Sequence, residues 1–127
     1  MKYFVFIFFI GVLFSCRPKP IDLGNEINLS LFKEDRGGCD NKRMAMQTAL
    51  ENVKDSLLTH SENELLATLG RYDFQILDRK NEKIFMFYLE PGPHCEQIQN
   101  ESSARSMAIY LNSVSLVKEV TFQNGLP

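Results

Sequence analysis

The side chains of this sequence that could carry chemistry are three cysteines and two histidines. Cys39, Cys95, His94 and His60 are of the types that bind zinc, and a thiolate beside an imidazole can also act as a nucleophile. These four residues lack the close-paired spacing of zinc motifs, and the adjacent His94 and Cys95 would form a catalytic pair only with a reduced, activated thiol. In an oxidising compartment the two cysteines would instead form a disulfide. The chemistry therefore depends on where the chain is located.

The N-terminus carries the information about location. An apolar run of twelve residues extends from Tyr3 to Phe14 and follows the positive charge of Lys2. As a helix this run would be about 18 Å long, whereas a membrane-spanning helix needs roughly 20 residues. The charged, proline-containing segment 17–20 also ends the run abruptly, which disfavours a transmembrane anchor. The run is typical of the apolar core of a secretory signal peptide.

The sequence Leu-Phe-Ser-Cys at residues 13–16 resembles the bacterial lipobox, in which an aliphatic residue precedes two further residues, the second of them small, and then a cysteine. The resemblance implies cleavage before Cys16 and attachment of lipid, including palmitate, to Cys16. Two or more acyl chains anchor a protein stably to a membrane. The alternative is an ordinary secretory signal that leaves Cys16 as a free thiol.

This interpretation divides the chain into a signal peptide at 1–15, a lipidated tether at 16–38 and a domain at 39–127. It predicts a location in the cell envelope, with the lipid inserted in a membrane. The segment 17–20 lacks the acidic run that resembles surface-export signals, which favours the periplasmic side of the outer membrane. Because residues 21–33 contain six large apolar side chains, this part of the tether could form a strand or dock on the domain.

Cys39 and Cys95 remain as an even pair once Cys16 carries lipid. In an exported protein such a pair predicts a disulfide. Closing a loop of this length would stabilise the fold by roughly 4 kcal/mol in the chain-entropy description. The alternative is a pair of reduced thiols.

Composition and motifs exclude several classes of function. Residues 1–15 contain only Lys2 among the charged residues, so the remaining chain has 13 basic and 16 acidic residues and a net charge of −3. Nucleic acid is not an expected partner, because no basic stripe is present. The sequence has no Gly-x-Ser-x-Gly, no phosphate-binding glycine loop and no His-Glu-x-x-His. We therefore expect a non-enzymatic protein, without catalytic residue, metal, cofactor or small-molecule substrate.

The first helix of the domain is predicted to begin at Asp40 or Asn41, since both residue types cap helices. Apolar residues then recur at spacings of four, three and four, which places them on one face of a helix. Arg43 is among the residues expected to face water. The apolar face consists of Met46, Leu50, Val53 and Leu57.

A second, shorter helix has clear signals at both ends. Ser61 and Glu64 fit the capping box, in which each side chain accepts a hydrogen bond from the other residue's backbone amide. Gly70 suits the left-handed C′ position that ends a helix. The apolar face consists of Leu65, Leu66 and Leu69.

Four strands follow the helices. Alternation predicts strands at 72–76, 106–112 and 116–123, the last of them an edge strand, whereas the nearly continuous apolar stretch Ile84–Glu90 predicts a strand that is central or covered on both faces. A long loop at 94–105 separates two hairpins. Segregated helices and strands predict the α+β class, with two N-terminal helices packed on a four-stranded antiparallel sheet.

The stretch at 57–73 resembles the signature segment of the SmpA/OmlA family, the BamE-like small lipoproteins of the bacterial outer membrane. Thr59 and His60 stand where that family has Gly-Met, and Tyr72 stands where it has proline. The positions that match are Ser61, Glu64, Leu65, Leu69 and Gly70.

The resemblance implies a BamE-like or β-lactamase-inhibitor-protein-like fold and a role as a non-enzymatic scaffold in outer-membrane assembly or maintenance. Its expected partners are the membrane, through the lipid on Cys16, and other envelope proteins. An inhibitor or decoy that binds a protein through its sheet is an alternative function. A small metal-binding protein or thiol enzyme is a further alternative, which would use the cysteines and histidines.

Overall fold

The computed structural model describes residues 16–127, which form three α-helices, four short 3₁₀ turns and one sheet. The predicted signal peptide at 1–15, with three of the four lipobox residues, lies outside the described residues. Within residues 16–127 no helix is long and apolar enough to span a bilayer. The α-helices are α1 (Leu29–Glu34), α2 (Gln47–Val53) and α3 (Glu62–Leu69), and the 3₁₀ turns are Arg36–Gly38, Met44–Met46, Lys54–Leu57 and Pro93–Cys95.

The sheet has four antiparallel strands in the order of the sequence. This confirms the α+β class, the interior position of the second strand and the edge position of the last. Each strand begins within two residues of its predicted start, because alternating side chains mark a half-buried strand directly. The strands are β1 (Phe74–Leu77), β2 (Lys83–Tyr88), β3 (Arg105–Leu111) and β4 (Val117–Asn124).

One face of the sheet contributes to the main hydrophobic core. Successive side chains of a strand point to opposite faces, so every second residue of β2 and β3 joins this core. The helical segments supply the other half of the same cluster, and its central members are fully buried. Its sheet residues include Phe85, Phe87, Met107 and Ile109, and its helical residues include Phe32, Leu50, Leu57, Leu65 and Leu69.

Residues 21–38 belong to the domain and not to a tether. Ile21, Leu23, Ile27 and Phe32 are buried in the main core, and the backbone N–H of Ile21 donates to the hydroxyl of Thr68 at 2.7 Å. Burying one such side chain stabilises a fold by roughly 1.5–3 kcal/mol, a contribution that a free tether would not make. The predicted boundary at residue 38 is therefore misplaced. Residues 16–20 are exposed, and the domain begins at Ile21.

The first predicted helix starts later than expected, and its predicted capping residues are wrong. The buried carboxylate of Asp35 accepts hydrogen bonds from the backbone amides of Asp40, at 2.7 Å, and Arg43, at 2.9 Å. Asn41 has a φ of 62°, which no α-helix contains. These contacts hold residues 40–43 in a loop, and regular helix begins only at Gln47.

The second predicted helix is confirmed at both ends. The amide of Glu64 donates to the Ser61 hydroxyl at 3.3 Å, and the amide of Ser61 donates to the Glu64 carboxylate at 2.8 Å. Gly70 ends the helix as its C-cap residue, but its φ of 76° and ψ of −168° lie outside the left-handed helical conformation that was predicted. The local sequence alone determines this element, because every partner lies within one helical turn.

Candidate functional site

The predicted bond between Cys39 and Cys95 is present in the structure. Their Cα atoms lie 5.9 Å apart, and the bond closes a sequence separation of 56 residues. It joins the chain after the 3₁₀ turn Arg36–Gly38 to the 3₁₀ turn Pro93–Cys95. Cys16 is the free cysteine of the described chain, and it is exposed.

His94 lies buried against this disulfide. Its Nε2 atom is 2.6 Å from the carbonyl oxygen of Gly37, and its Nδ1 atom is 2.8 Å from the hydroxyl oxygen of Ser102. A carbonyl can only accept, so Nε2–H donates to Gly37, and Nδ1 forms the hydrogen bond with the Ser102 hydroxyl. The ring also stacks on Tyr88, with 3.7 Å between centroids. The imidazole is therefore fixed on both nitrogens and on one face.

Three of the four residues considered for zinc or thiol chemistry come together. The Nε2 atom of His94 lies 3.6 Å from the sulfur of Cys95, and Cys39 completes the group. His60 lies elsewhere, with its Nδ1 atom 3.0 Å from the carboxylate of Glu64. While Cys39 and Cys95 are bonded to each other, neither offers the thiolate that zinc binding or nucleophilic attack requires.

A cavity of about 290 Å³ opens onto this group. Its lining combines a cation, a carboxylate, the imidazole and the two sulfurs with the apolar side chain of Ile98. The lining residues are Arg36, Gly37, Cys39, Asp73, His94, Cys95 and Ile98.

A buried ion pair fixes the backbone around the cavity. The guanidinium of Arg43 donates to the carboxylate of Asp73 at 2.7 Å, and both side chains are almost completely buried. Asp73 also accepts from the backbone amides of Gly37, at 2.9 Å, and Tyr88, at 2.8 Å. Burial lowers the pKa of Arg43, and attraction to Asp73 opposes that shift. The pair therefore holds the backbone N–H of Gly37, the residue whose carbonyl accepts from His94.

The burial of Arg43 corrects the prediction that it faces water. Its Nε–H donates to the carbonyl of Phe32 at 2.9 Å, and its guanidinium lies 4.3 Å from the centre of the Phe32 ring. Both contacts come from the segment predicted as a tether. No local pattern signals this role, because an arginine beside a lysine at the start of an amphipathic stretch is ordinarily solvated.

The second face of the sheet carries an apolar cluster of its own, which we call the outer face. Its buried members are Ile84, Met86 and Ala108, and three partly buried residues pack against them. All six belong to strands, so the cluster receives no helix residue from the described chain. The sequence predicted a strand that is central or covered on both faces, and the structure buries the side chains of β2 on this second side as well, although no α-helix residue within 16–127 belongs to the cluster. The partly buried members are Phe74, Ile76 and Tyr110.

The described chain is thus an α+β domain. One face of its sheet contributes to the main core, and the other face carries the second apolar cluster. An exposed cysteine precedes the first buried residue by five positions. A scan against protein-family models matches no family, and searches of curated proteins and of solved structures find no match.

Proposed function

We propose that this protein is a lipid-anchored, non-enzymatic component of the cell envelope that binds another protein through the outer face of its sheet. The observation that carries the proposal is the composition of that face. An antiparallel sheet usually exposes polar residues on the side away from the core. Here that side carries an apolar cluster in which Ile84, Met86 and Ala108 are buried, and Phe74, Ile76 and Tyr110 around them are partly exposed. Apolar and aromatic side chains grouped at the surface are characteristic of a protein-binding surface.

The short exposed segment at 16–20 supports membrane attachment. If lipid is attached at Cys16, only a few residues separate the membrane from Ile21, where the domain begins. A flexible chain of this length has a root-mean-square reach of about 12 Å. The domain would therefore stay close to the bilayer, which raises its effective concentration toward other membrane-bound proteins. The periplasmic side of the outer membrane is the compartment that we propose.

The SmpA/OmlA resemblance supports a scaffold function in particular. The residues that carry this resemblance include the capping box and the terminal glycine of α3. We propose a BamE-like arrangement, in which α2 and α3 pack on the sheet. We also propose a role in outer-membrane assembly or maintenance. The outer face would then be the surface that contacts the rest of the assembly.

Two neighbouring residues of β1 provide a matched test. Ile76 belongs to the outer face, whereas Leu77 points to the opposite side and is 57% exposed. The anchored protein would be captured from detergent-solubilised host membranes as wild type, Ile76→Asp and Leu77→Asp. We expect the same envelope proteins to accompany the wild type and Leu77→Asp, and to be lost with Ile76→Asp. Equal recovery with both variants would contradict binding by the outer face.

An inhibitor or decoy is the second candidate function. Two aromatic residues, Phe74 and Tyr110, lie partly exposed on the outer face, and aromatic side chains are enriched at protein–protein interfaces. The identity of the captured protein separates the two candidates. An envelope enzyme whose activity falls on binding favours the inhibitor, and a subunit of a membrane assembly favours the scaffold.

A further inference from the structure

The ligand atoms of three residues converge beside the disulfide. One atom each from Cys39, His94 and Cys95 lies within 4.8 Å of the others, and Nε2 of His94 is 3.6 Å from the sulfur of Cys95. In a tetrahedral zinc site, with Zn–N of about 2.0 Å and Zn–S of about 2.3 Å, a nitrogen and a sulfur ligand are about 3.6 Å apart. His94 and Cys95 are therefore already at ligand spacing.

We propose that Cys39, His94 and Cys95 bind one zinc ion when their disulfide is reduced. This site goes beyond the proposed protein-binding function and does not depend on it. A dithiol reductant supplies two electrons and two protons, so that its own thiols become a disulfide while the Cys39–Cys95 bond is replaced by two thiols. Zinc then displaces both thiol protons to solvent. Two thiolates and one imidazole leave the fourth tetrahedral position open for water.

The surroundings of His94 fit a zinc ligand. Zinc on Nε2 requires the ring proton on Nδ1, and this proton needs an acceptor. The hydroxyl of Ser102 lies 2.8 Å from Nδ1 and can accept as well as donate. The change of tautomer therefore keeps this hydrogen bond. Metal-bound histidines ordinarily have such a partner on the second ring nitrogen, which fixes the orientation of the ring.

The absence of a side chain at Gly37 leaves room for the ion. A Cβ atom at this position would lie 3.1 Å from the sulfur of Cys39 and 3.7 Å from Nε2 of His94. Without it, the cavity of about 290 Å³ reaches both sulfurs and the imidazole from solvent. The Gly37 carbonyl must turn away from Nε2 when zinc binds, and a glycine backbone permits that rotation more readily than any other.

The test uses the full chain in detergent with Cys16→Ser, which leaves Cys39 and Cys95 as its cysteines. The protein is reduced with a phosphine, freed of reductant without oxygen and titrated with Co²⁺, followed by competition with Zn²⁺. We expect one cobalt per reduced chain, with the absorption bands of tetrahedral cobalt thiolate, and no such bands for the disulfide form. If reduction unfolds the domain, we expect the metal to restore the circular dichroism of the folded form.

Two variants and one control distinguish a zinc site that includes His94 from simple chelation by two thiols. We expect His94→Ala to weaken zinc binding more than about tenfold and Ser102→Ala to weaken it by about tenfold. His60→Ala is the matched control and should bind as the parent does, because His60 lies just before α3, where it contacts Glu64, and is not part of the cysteine–histidine group. The proposal is overturned if the reduced protein binds no metal, or if His94→Ala and Ser102→Ala both bind zinc as tightly as the parent.

Discussion

Arg43 and Asp73 form a 2.7 Å ion pair in which the two side chains are 1% and 2% exposed. The pair joins three parts of the chain that are distant in sequence. Arg43 donates to the carbonyls of Phe32 and Tyr88, and Asp73 accepts from two backbone amides. Removal of either side chain therefore leaves several buried polar groups without partners.

We expect Arg43→Met to lower the free energy of unfolding by about 3–5 kcal/mol, because it leaves the Asp73 carboxylate as an unpaired buried charge. The neighbouring Lys42 provides the control. Its amine lies 3.4 Å from Glu34 in an exposed pair, so Lys42→Met should change stability by less than about 1 kcal/mol. Chemical denaturation of both variants measures the difference. Equal destabilisation would show that Arg43 has no special structural role.

We expect Phe32→Ala to destabilise the domain by about 3–5 kcal/mol, although Phe32 lies in the segment predicted as a tether. Its ring is fully buried, with its centre 5.7 Å from that of Phe87. The adjacent Leu31 is 37% exposed, and Leu31→Ala should cost less than about 1 kcal/mol. Thermal and urea unfolding provide the measurement. If the Phe32→Ala domain were as stable as the wild type, this result would contradict the assignment of residues 21–38 to the domain.

We expect the capping box to contribute a pH-dependent part of the stability. The hydrogen bonds from the Ser61 amide and His60 lower the pKa of Glu64 below 4.5. A lowered pKa in the folded state means that ionised Glu64 stabilises the fold above pH 4.5, and that this contribution is lost as the pH falls through the lowered value.

Glu64→Gln tests this expectation, since glutamine can still complete the capping box but does not titrate. Unfolding of wild type and variant would be compared at about pH 7 and about pH 3. The wild type should be the more stable protein at neutral pH, and the two should converge in acid. A stability difference that does not change with pH would contradict a role for the Glu64 charge.

Cys16 is expected to carry lipid. Cells grown with radiolabelled palmitate should yield a labelled wild-type protein in the membrane fraction and an unlabelled Cys16→Ala protein. Cys39→Ser/Cys95→Ser is the control and should keep the label, because Cys16 is the cysteine of the lipobox. Label on a Cys16→Ala protein, or an unlabelled wild type, would contradict the anchor.

Local sequence chemistry predicted some elements well and others not at all. The capping box of Ser61 and Glu64, and the alternation that marks each strand, depend on neighbours within a few residues. The disulfide was predicted because an expected export signal and lipid on Cys16 would leave Cys39 and Cys95 as a pair. By contrast, the loop before α2 depends on the buried carboxylate of Asp35, and the environment of Arg43 depends on Phe32 and Asp73. Such tertiary partners leave no periodic pattern in the sequence.

The outer face and the group around His94 were likewise predicted only in part from the sequence. The apolar residues of β2 predicted an interior strand, yet nothing in their pattern indicated that Ile84 and Met86 would face away from the helices. His94 and Cys95 are adjacent in the sequence, but the contacts of His94 with Gly37 and Ser102 arise only from the folded loops. The sequence therefore predicted that Cys39 and Cys95 meet, but it did not show that His94 lies against them.

The central claim is that the outer face of the sheet binds a protein at the membrane. Photo-crosslinking in intact host cells tests it most directly, with benzoylphenylalanine at Phe74 on the outer face and at Leu77 on the opposite side. We predict a discrete crosslinked protein from position 74 that is absent from position 77. No crosslink at position 74, or the same product from both positions, would contradict the claim.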